Sequence, residues 1–294
     1  MVAAITPDGR ILSQGGREAK PVLVVGLSVV VGLMAAMAVA WLVQRATGNV
    51  GWVDVVWSLA TGLAGCIAAL GGAGHQPSPR QIVVAVLVAS WSLGLAGHLV
   101  RRVSASEEDA RYRVLRETWA PRFQSRLFWF LEIQALVSAL LVVSILLAGH
   151  NPAPHWRLLD VAGVVVLIGA IAGERIADRQ LTRFKAAARS HGAVCDVGLW
   201  AWSRHPNYFF EWLVWLAYPL FAVDLDGGYP WGWLAFLGPV LMYLLLVYVS
   251  GIPPLEQHML RSRGAAFAAY QRRTSAFFPW PPSAAAADAP SEAG

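Results

Sequence analysis

The stretch Leu199-Trp200-Ala201-Trp202-Ser203-Arg204-His205-Pro206-Asn207-Tyr208-Phe209-Phe210-Glu211 leads directly into an apolar run, Trp212-Leu213-Val214-Trp215-Leu216-Ala217. Pro206 divides the two parts. A proline pushes the residue before it out of helical geometry, yet itself suits the first turn of a helix. Arg204 and His205 are therefore expected on an irregular approach, with Asn207, Tyr208 and Glu211 in the first turn of the helix that follows. Tyr208 and Glu211 lie three residues apart and share a face of that helix. A helix start also favours anions. A basic, aromatic membrane anchor could use some of the same residues. A cation, an imidazole, an amide, a phenol and a carboxylate gathered at one helix start point instead to a binding site.

The rest of the chain says what kind of helix this is. Of 294 residues, 56% are hydrophobic and 14% charged, against about 25% charged in soluble domains; mean hydropathy is +0.51. That composition reads as an all-α integral membrane protein, because backbone groups in lipid must be satisfied within each segment. Two cysteines cannot build a disulfide framework: Cys66 falls in an apolar segment and Cys195 in a polar loop. No Cys/His cluster has metal spacing. The net charge of +5 is modest and does not call for nucleic acid. Met1 to Lys20 is polar and glycine-containing, unlike a signal peptide.

Seven segments are apolar for long enough to cross a bilayer core of about 30 Å, allowing for one short one: 22–43, 52–71, 81–100, 127–148, 158–177, 208–223 and 231–250. This divides the chain into a polar N-terminal segment (1–21), a seven-helix membrane domain (22–280) and an Ala/Pro/Ser-rich tail (281–294) expected to be disordered. Orientation follows from lysine and arginine. Seventeen of them fall in the loops after spans 1, 3 and 5 and in the C-terminal segment, and five on the opposite side. The C-terminus and the long loops are expected in the cytoplasm, and the N-terminus outside.

Most ionisable groups inside spans fall on one side, and the outer halves of the same segments carry almost none. Asp54, His98, Glu132, Gln134, Glu174, Asp178 and Glu211 all fall at the cytoplasmic ends of their segments. Polar groups at membrane depth are costly and usually face a cavity or a partner, so the pattern predicts a polar cavity open to the cytoplasm beneath an apolar outer half. Two basic stretches flank it, Arg101-Arg102 with Glu107-Glu108-Asp109-Ala110-Arg111-Tyr112-Arg113, and Asp178-Arg179-Gln180-Leu181-Thr182-Arg183-Phe184-Lys185. Either could grip phosphates or adhere to anionic membrane lipids. Gly71-Gly72-Ala73-Gly74 has no strand–turn–helix context and is no dinucleotide fingerprint; a P-loop and a G-x-S-x-G elbow are also lacking. Any nucleotide must therefore bind a helical membrane pocket.

These residues resemble the steroid 5α-reductase family, specifically its bacterial branch of DUF1295-type membrane proteins. The likeness runs from about Asp54 to Trp280 and is carried by Ala177-Asp178-Arg179-Gln180-Leu181 with Phe184-Lys185, by Gly198-Leu199-Trp200 and Ser203 to Tyr208 with Glu211, and by Ser250-Gly251-Ile252-Pro253; Asp109, Arg111-Tyr112 and Trp119 add to it. It implies seven transmembrane helices in a bacterial inner membrane and reduction of the C=C bond of an enone lipid, typically a 3-oxo-Δ4 steroid, with NADPH as cofactor. By the same resemblance, Asn207 and Glu211 line the cofactor site together with Arg204, His205 and Tyr208. Asp178 and Arg179, with Arg183 or Lys185, hold the cofactor from the fifth helix. Asp54 sits where the family places an acid near the substrate carbonyl.

Two departures fall on the substrate side. The family's carbonyl-polarising tyrosine has no tyrosine equivalent in span 3, where Trp91 and His98 stand, so His98 or Tyr208 is the expected donor, or the substrate differs. The Gln-Glu pair of true steroid reductases is a lone Asp54. Arg204-His205-Pro206-Asn207-Tyr208 also fits the isoprenylcysteine-type membrane methyltransferases, which bind S-adenosylmethionine, with Glu256 as their C-terminal acid. Asn207 with Glu211, the Asp178-Arg179-Gln180-Leu181 turn and two basic stretches suit a phosphate-bearing cofactor better. A transporter or a non-enzymatic membrane protein is the third reading; a transporter is expected to show internal repeats, and none is visible.

Overall fold

The computed structural model describes residues 15–71, 76–105, 116–187 and 192–283, with backbone only at 15–25 and 105. All of the Glu107 to Arg113 stretch and Gly72-Ala73-Gly74 therefore lie outside the described residues, as do most of the N-terminal segment and of the tail. Among the described residues all regular structure is helical; extended backbone pairs there only at an isolated parallel bridge, Ser203 with Ser275.

The helices are α1 (Gly15–Thr47), α2 (Trp52–Leu70), α3 (Pro79–Ala105), α4 (Phe123–Gly149), α5 (Leu158–Ala186), the single turn α6 (Leu199–Trp202) and α7 (Pro206–Ala222). A 3₁₀ segment (Pro230–Phe236), α8 (Leu237–Leu244) and a π turn (Leu245–Val249) follow, and Ser250-Gly251 breaks the run before α9 (Ile252–Arg263) and α10 (Ala265–Arg273). Five described segments are long and apolar enough to cross a membrane: Gly26–Thr47, Trp52–Leu70, Pro79–Ser104, Phe123–Gly149 and Pro230–Arg263. The chain is thus an integral membrane protein by its helices, with five such segments where seven were expected. The other two fall short for separate reasons. In α5, Asp160, Glu174, Arg175 and Asp178 interrupt every apolar stretch of the needed length, and α7 has only 17 residues.

α4 is the hub. Its first half (Phe123, Leu127, Leu131, Ala135) packs with Leu33, Met37 and Ala40 of α1 and Val53 and Ala64 of α2. Its second half (Leu141, Ile145, Ala148) packs with Trp91, Leu167, Trp215, Tyr218 and Phe221 from α3, α5 and α7. A helix buried on several sides needs apolar residues all round, which α4 has. Elsewhere small residues set the spacing, as is usual between helices in lipid. On α5 the buried stripe is Gly163, Leu167, Ala170, Gly173 and Ala177; a Cβ on Gly163 would overlap the Phe221 ring of α7, and one on Gly173 the Phe210 ring.

At one end of the bundle α3 and α5 are tied by a buried knot. Asp160, with no exposed surface, accepts from Arg80 at 2.8 Å and from Arg157 at 2.7 Å. Arg80 also donates to the carbonyls of Asn151, Ala153 and His155, while Arg157 and Asn151 cap the last carbonyls of α7. At the opposite end His98 of α3 meets Asp178 of α5 at 3.5 Å. From 80 to 98 and from 160 to 178 the two helices advance by the same number of residues, so they run parallel in one register over about 27 Å of helical rise. The candidate site lies between the two helices around the His98–Asp178 end and reaches beyond it.

Candidate functional site

The gap between α3 and α5 is a cavity of about 750 Å³, lined on α3 by Trp91, Leu93, Gly94, Leu95, Gly97, His98 and Arg101, and on α5 by Ile171, Glu174, Arg175, Asp178, Arg179, Thr182 and Arg183. The shared register sorts these into layers. Deepest are Trp91 and Ile171; next come Gly94, Glu174 and Arg175; then His98, Asp178 and Arg179; at the mouth stand Arg101, Thr182 and Arg183. Two glycines flatten the α3 wall. A Cβ at Gly94 would press on the Arg175 guanidinium, whereas one at Gly97 would meet nothing and project into open space.

Arg101, Arg175, Arg179 and Arg183 make no hydrogen bond or ion pair with any described residue. The contrast with other arginines is sharp: Arg80, Arg102, Arg157, Arg204 and Arg273 all hold carboxylates. Four guanidinium groups around one cavity have no partner among the described residues, and those of Arg101, Arg179 and Arg183, toward its mouth, form a receptor for an anion with several charges.

The sequence-predicted residues divide around this cavity. His98, Asp178, Arg179 and Arg183 line it. Asn207, in the first turn of α7 as expected, donates to Asp178 at 3.4 Å and so reaches the cavity from a third helix. Lys185 stands just beyond the mouth, one turn past Thr182. Glu211 lies behind the wall: its carboxylate accepts the indole N–H of Trp91 at 2.8 Å and of Trp215 at 3.0 Å. Asp54 is outside the lining, near Arg102 at 3.7 Å. Tyr208 stacks on His205, ring centroids 5.5 Å apart, also away from the cavity. Arg175 and Arg101, which the sequence reading gave no site role and a general phosphate-gripping role respectively, turn out to line the cavity. The signal available for Arg175 was its spacing of four from Arg179 and eight from Arg183 along one helix.

Arg204 and His205 sit on the irregular approach predicted for them, with Pro206 opening α7, but they face the C-terminal segment. Arg204 donates twice to Glu256, at 2.7 and 3.1 Å, and to the carbonyls of Gln271 and Thr274. His205 Nε2 lies 2.9 Å from Glu256, and Gln271 completes that carboxylate's partners. Ser203 donates to Phe277, Tyr270 to Trp200 and the Trp280 amide to Trp202, while Arg273 pairs with Asp196. The segment 252–283 is a strap across 196–205. The other side of that loop docks on α5: Gly198 takes φ +61 and leaves no room for a Cβ beside Gln180, whose side chain accepts the Leu199 amide. Trp200 donates to the Ala177 carbonyl. The loop thereby sets where α7, and with it Asn207, meets α5.

Residues 40–274 match the family described as protein of unknown function DUF1295. The chain belongs to that family. The matched range holds every residue placed around the cavity, together with most of the strap. A relative over most of its length is the uncharacterized protein C594.04c of Schizosaccharomyces pombe, 26% identical over 280 residues, covering 85% of this chain and 79% of that one. No solved structure matches. Among the described residues no group of three or more His, Cys, Asp or Glu side chains could hold a metal ion.

Proposed function

We propose that this DUF1295 protein is a membrane oxidoreductase that reduces the C=C bond of an enone lipid with NADPH, as its resemblance to the steroid 5α-reductases implies. One observation carries the reading: four guanidinium groups without partners among the described residues surround a single cavity of about 750 Å³, within the range of small-molecule and cofactor sites. NADPH bears three phosphate groups, and the donor set fits it: Arg101 and Arg183 at the mouth and Arg179 in the layer below take phosphates, with Lys185 beyond, and Asn207 orders the Asp178 carboxylate between them. S-adenosylmethionine bears none. The methyltransferase reading would also need Arg204, His205 and Glu256, which here hold one another.

The cofactor, when bound, supplies a hydride to the β carbon of the enone. His98, in the middle layer and against Asp178, is the acid placed to act on the reacting lipid; Asp54 and Tyr208 stand off the cavity. The deep layer of Trp91, Leu93, Leu95 and Ile171 takes the lipid's apolar body. The substrate is therefore a hydrophobic, steroid-like lipid, and the protein is a multi-pass protein of the bacterial inner membrane with its cavity facing the cytoplasm, where NADPH is available. The separation of about 27 Å between the two ionic ends of α3 and α5 is close to a bilayer core of about 30 Å, which supports α5 and its partner α7 as the remaining two of seven spans, despite their polar ends. Exposed tryptophans near both ends, Trp156, Trp231 and Trp233 at one and Trp129, Trp202 and Trp280 at the other, suit the two interfacial belts.

Purified protein tests the class directly. Tryptophan quenching and thermal stabilisation by NADPH, with no response to S-adenosylmethionine, are expected, because Trp91 forms part of the cavity wall. The reverse pattern makes the protein a methyltransferase.

A further inference from the structure

Of the four arginines without a partner among the described residues, Arg175 differs in its surroundings. Its position on α5 is the deepest of the four, more than two helical turns below Arg183, in the layer of Glu174 and Gly94 and next to that of Trp91 and Ile171, and its side chain is exposed. The layer holds one guanidinium and one carboxyl group, on consecutive residues of α5, whereas the mouth holds two arginines and no acid. A group with several fixed negative charges belongs at the mouth. What suits the deep layer is a single charge that appears only briefly on an apolar molecule. The wall opposite Arg175 is cut back to Gly94, against which the guanidinium lies so closely that a methyl group would displace it.

We infer that Arg175 is a catalytic residue, the donor that receives the negative charge on the carbonyl oxygen of the enone. This rests on the reductase reading and adds a role to it. Hydride arrival at the β carbon moves the C=C π pair toward the carbonyl, leaving an enolate oxygen with a full charge. Arg175 supplies two N–H donors and a fixed positive charge at that oxygen. A proton from His98 to the α carbon, replaced from solvent at the mouth, restores the C=O bond and completes a saturated ketone. Donors placed in advance where charge develops need no reorganisation at the moment of reaction, and Arg175, without a partner among the described residues, is such a donor. Arg175 thereby fills the part left open by the absence of a tyrosine in α3, and it does so from the facing helix.

The test uses an oxyanion that can be seen without turnover. A nitrophenol carrying an octyl chain is titrated spectroscopically with the purified full-length protein in detergent, since its phenolate absorbs in the visible. Wild-type protein is expected to favour the phenolate by about tenfold or more, the size of one charge-assisted hydrogen bond. Arg175→Gln should abolish this preference while binding NADPH within about twofold of wild type, which also shows that the variant is folded. Arg183→Gln should do the opposite, keeping the phenolate shift and losing cofactor affinity by about tenfold. An unshifted phenol with wild-type protein overturns the inference, and so does Arg175→Gln weakening NADPH as much as Arg183→Gln, since Arg175 is then a phosphate ligand. If wild-type protein binds no NADPH yet shifts the phenol, the oxyanion site stands and the reductase reading is what fails.

Discussion

His205 is almost wholly buried, with Nε2 on the Glu256 carboxylate and Nδ1 lacking a partner among the described residues. Burial lowers its pKa from the ordinary imidazole value of 6.5, and the hydrogen bond and charge of Glu256 oppose this only in part. A proton on Nδ1 would be a buried donor with nothing to receive it. The folded state therefore keeps His205 neutral, while the unfolded chain takes a proton below about 6.5. The stability linked to this residue is present above that pH and is lost as pH falls. Thermal unfolding in detergent should show the midpoint dropping between about pH 7.5 and pH 5.5, and His205→Gln should remove much of the slope; an unchanged slope in the variant would place the effect elsewhere. Beside it, Arg204→Gln or Glu256→Gln leaves one member of a largely buried pair alone, at a cost of about 3 kcal/mol, read as the same loss in chemical unfolding for either variant. Arg204 was expected at the cofactor site from the family resemblance, and the Arg-His-Pro run by itself shows no other partner. Glu256 lies 52 residues further on, and nothing in the local pattern says that the chain returns.

For whole helices the sequence was easier to read where composition alone decides. The apolar runs of α2, α3 and α4 predict those helices to within a few residues, and the break at Pro206 predicts the start of α7. Two features were hidden. α5 continues to Ala186, past the expected end of span 5 at 177 and unbroken through the basic turn that follows, one face of which lines the cavity. Glu211 shares the first turns of α7 with Asn207, yet it turns toward the indoles of Trp91 and Trp215 rather than into the cavity, since only a helix wheel fixed against α3 and α5 tells the two faces apart. The glycines along these helices allow opposite predictions. Gly97→Leu puts its side chain into open cavity, so the variant should fold with a wild-type melting temperature and lose NADPH quenching of tryptophan. Gly173→Leu drives a side chain into the Phe210 ring, and overpacking of that kind costs about 1–3 kcal/mol. If Gly97→Leu binds NADPH normally, the cofactor is not in this cavity.

Across the whole molecule, the two ends of the α3–α5 pair divide stability from function. Both ends carry an acid on α5 facing a base on α3, in the same register, but their surroundings differ. Asp160 has no exposed surface, receives hydrogen bonds from two arginines and the Arg157 amide, and sits where those arginines also cap the carbonyls of α7 and the 151–155 loop. Asp178 has a single 3.5 Å approach to His98 and a long 3.4 Å hydrogen bond from Asn207, and it opens onto the cavity. Partners held this loosely have room to rearrange around a ligand, whereas the knot has none. Asp160→Asn removes the charge that two buried guanidinium groups share, and such a loss costs about 3–5 kcal/mol. Asp178→Asn keeps the Asn207 contact within reach and gives up only one long ionic approach, so it should cost under about 1 kcal/mol, the scale of a weak, partly exposed pair. Chemical unfolding of both variants separates the two cases, and NADPH titration adds the second axis: Asp178→Asn should alter affinity while Asp160→Asn, wherever it remains folded, should not. Equal destabilisation by the two substitutions would mean that the cavity end also holds the bundle together, and the division of labour along α5 would be lost.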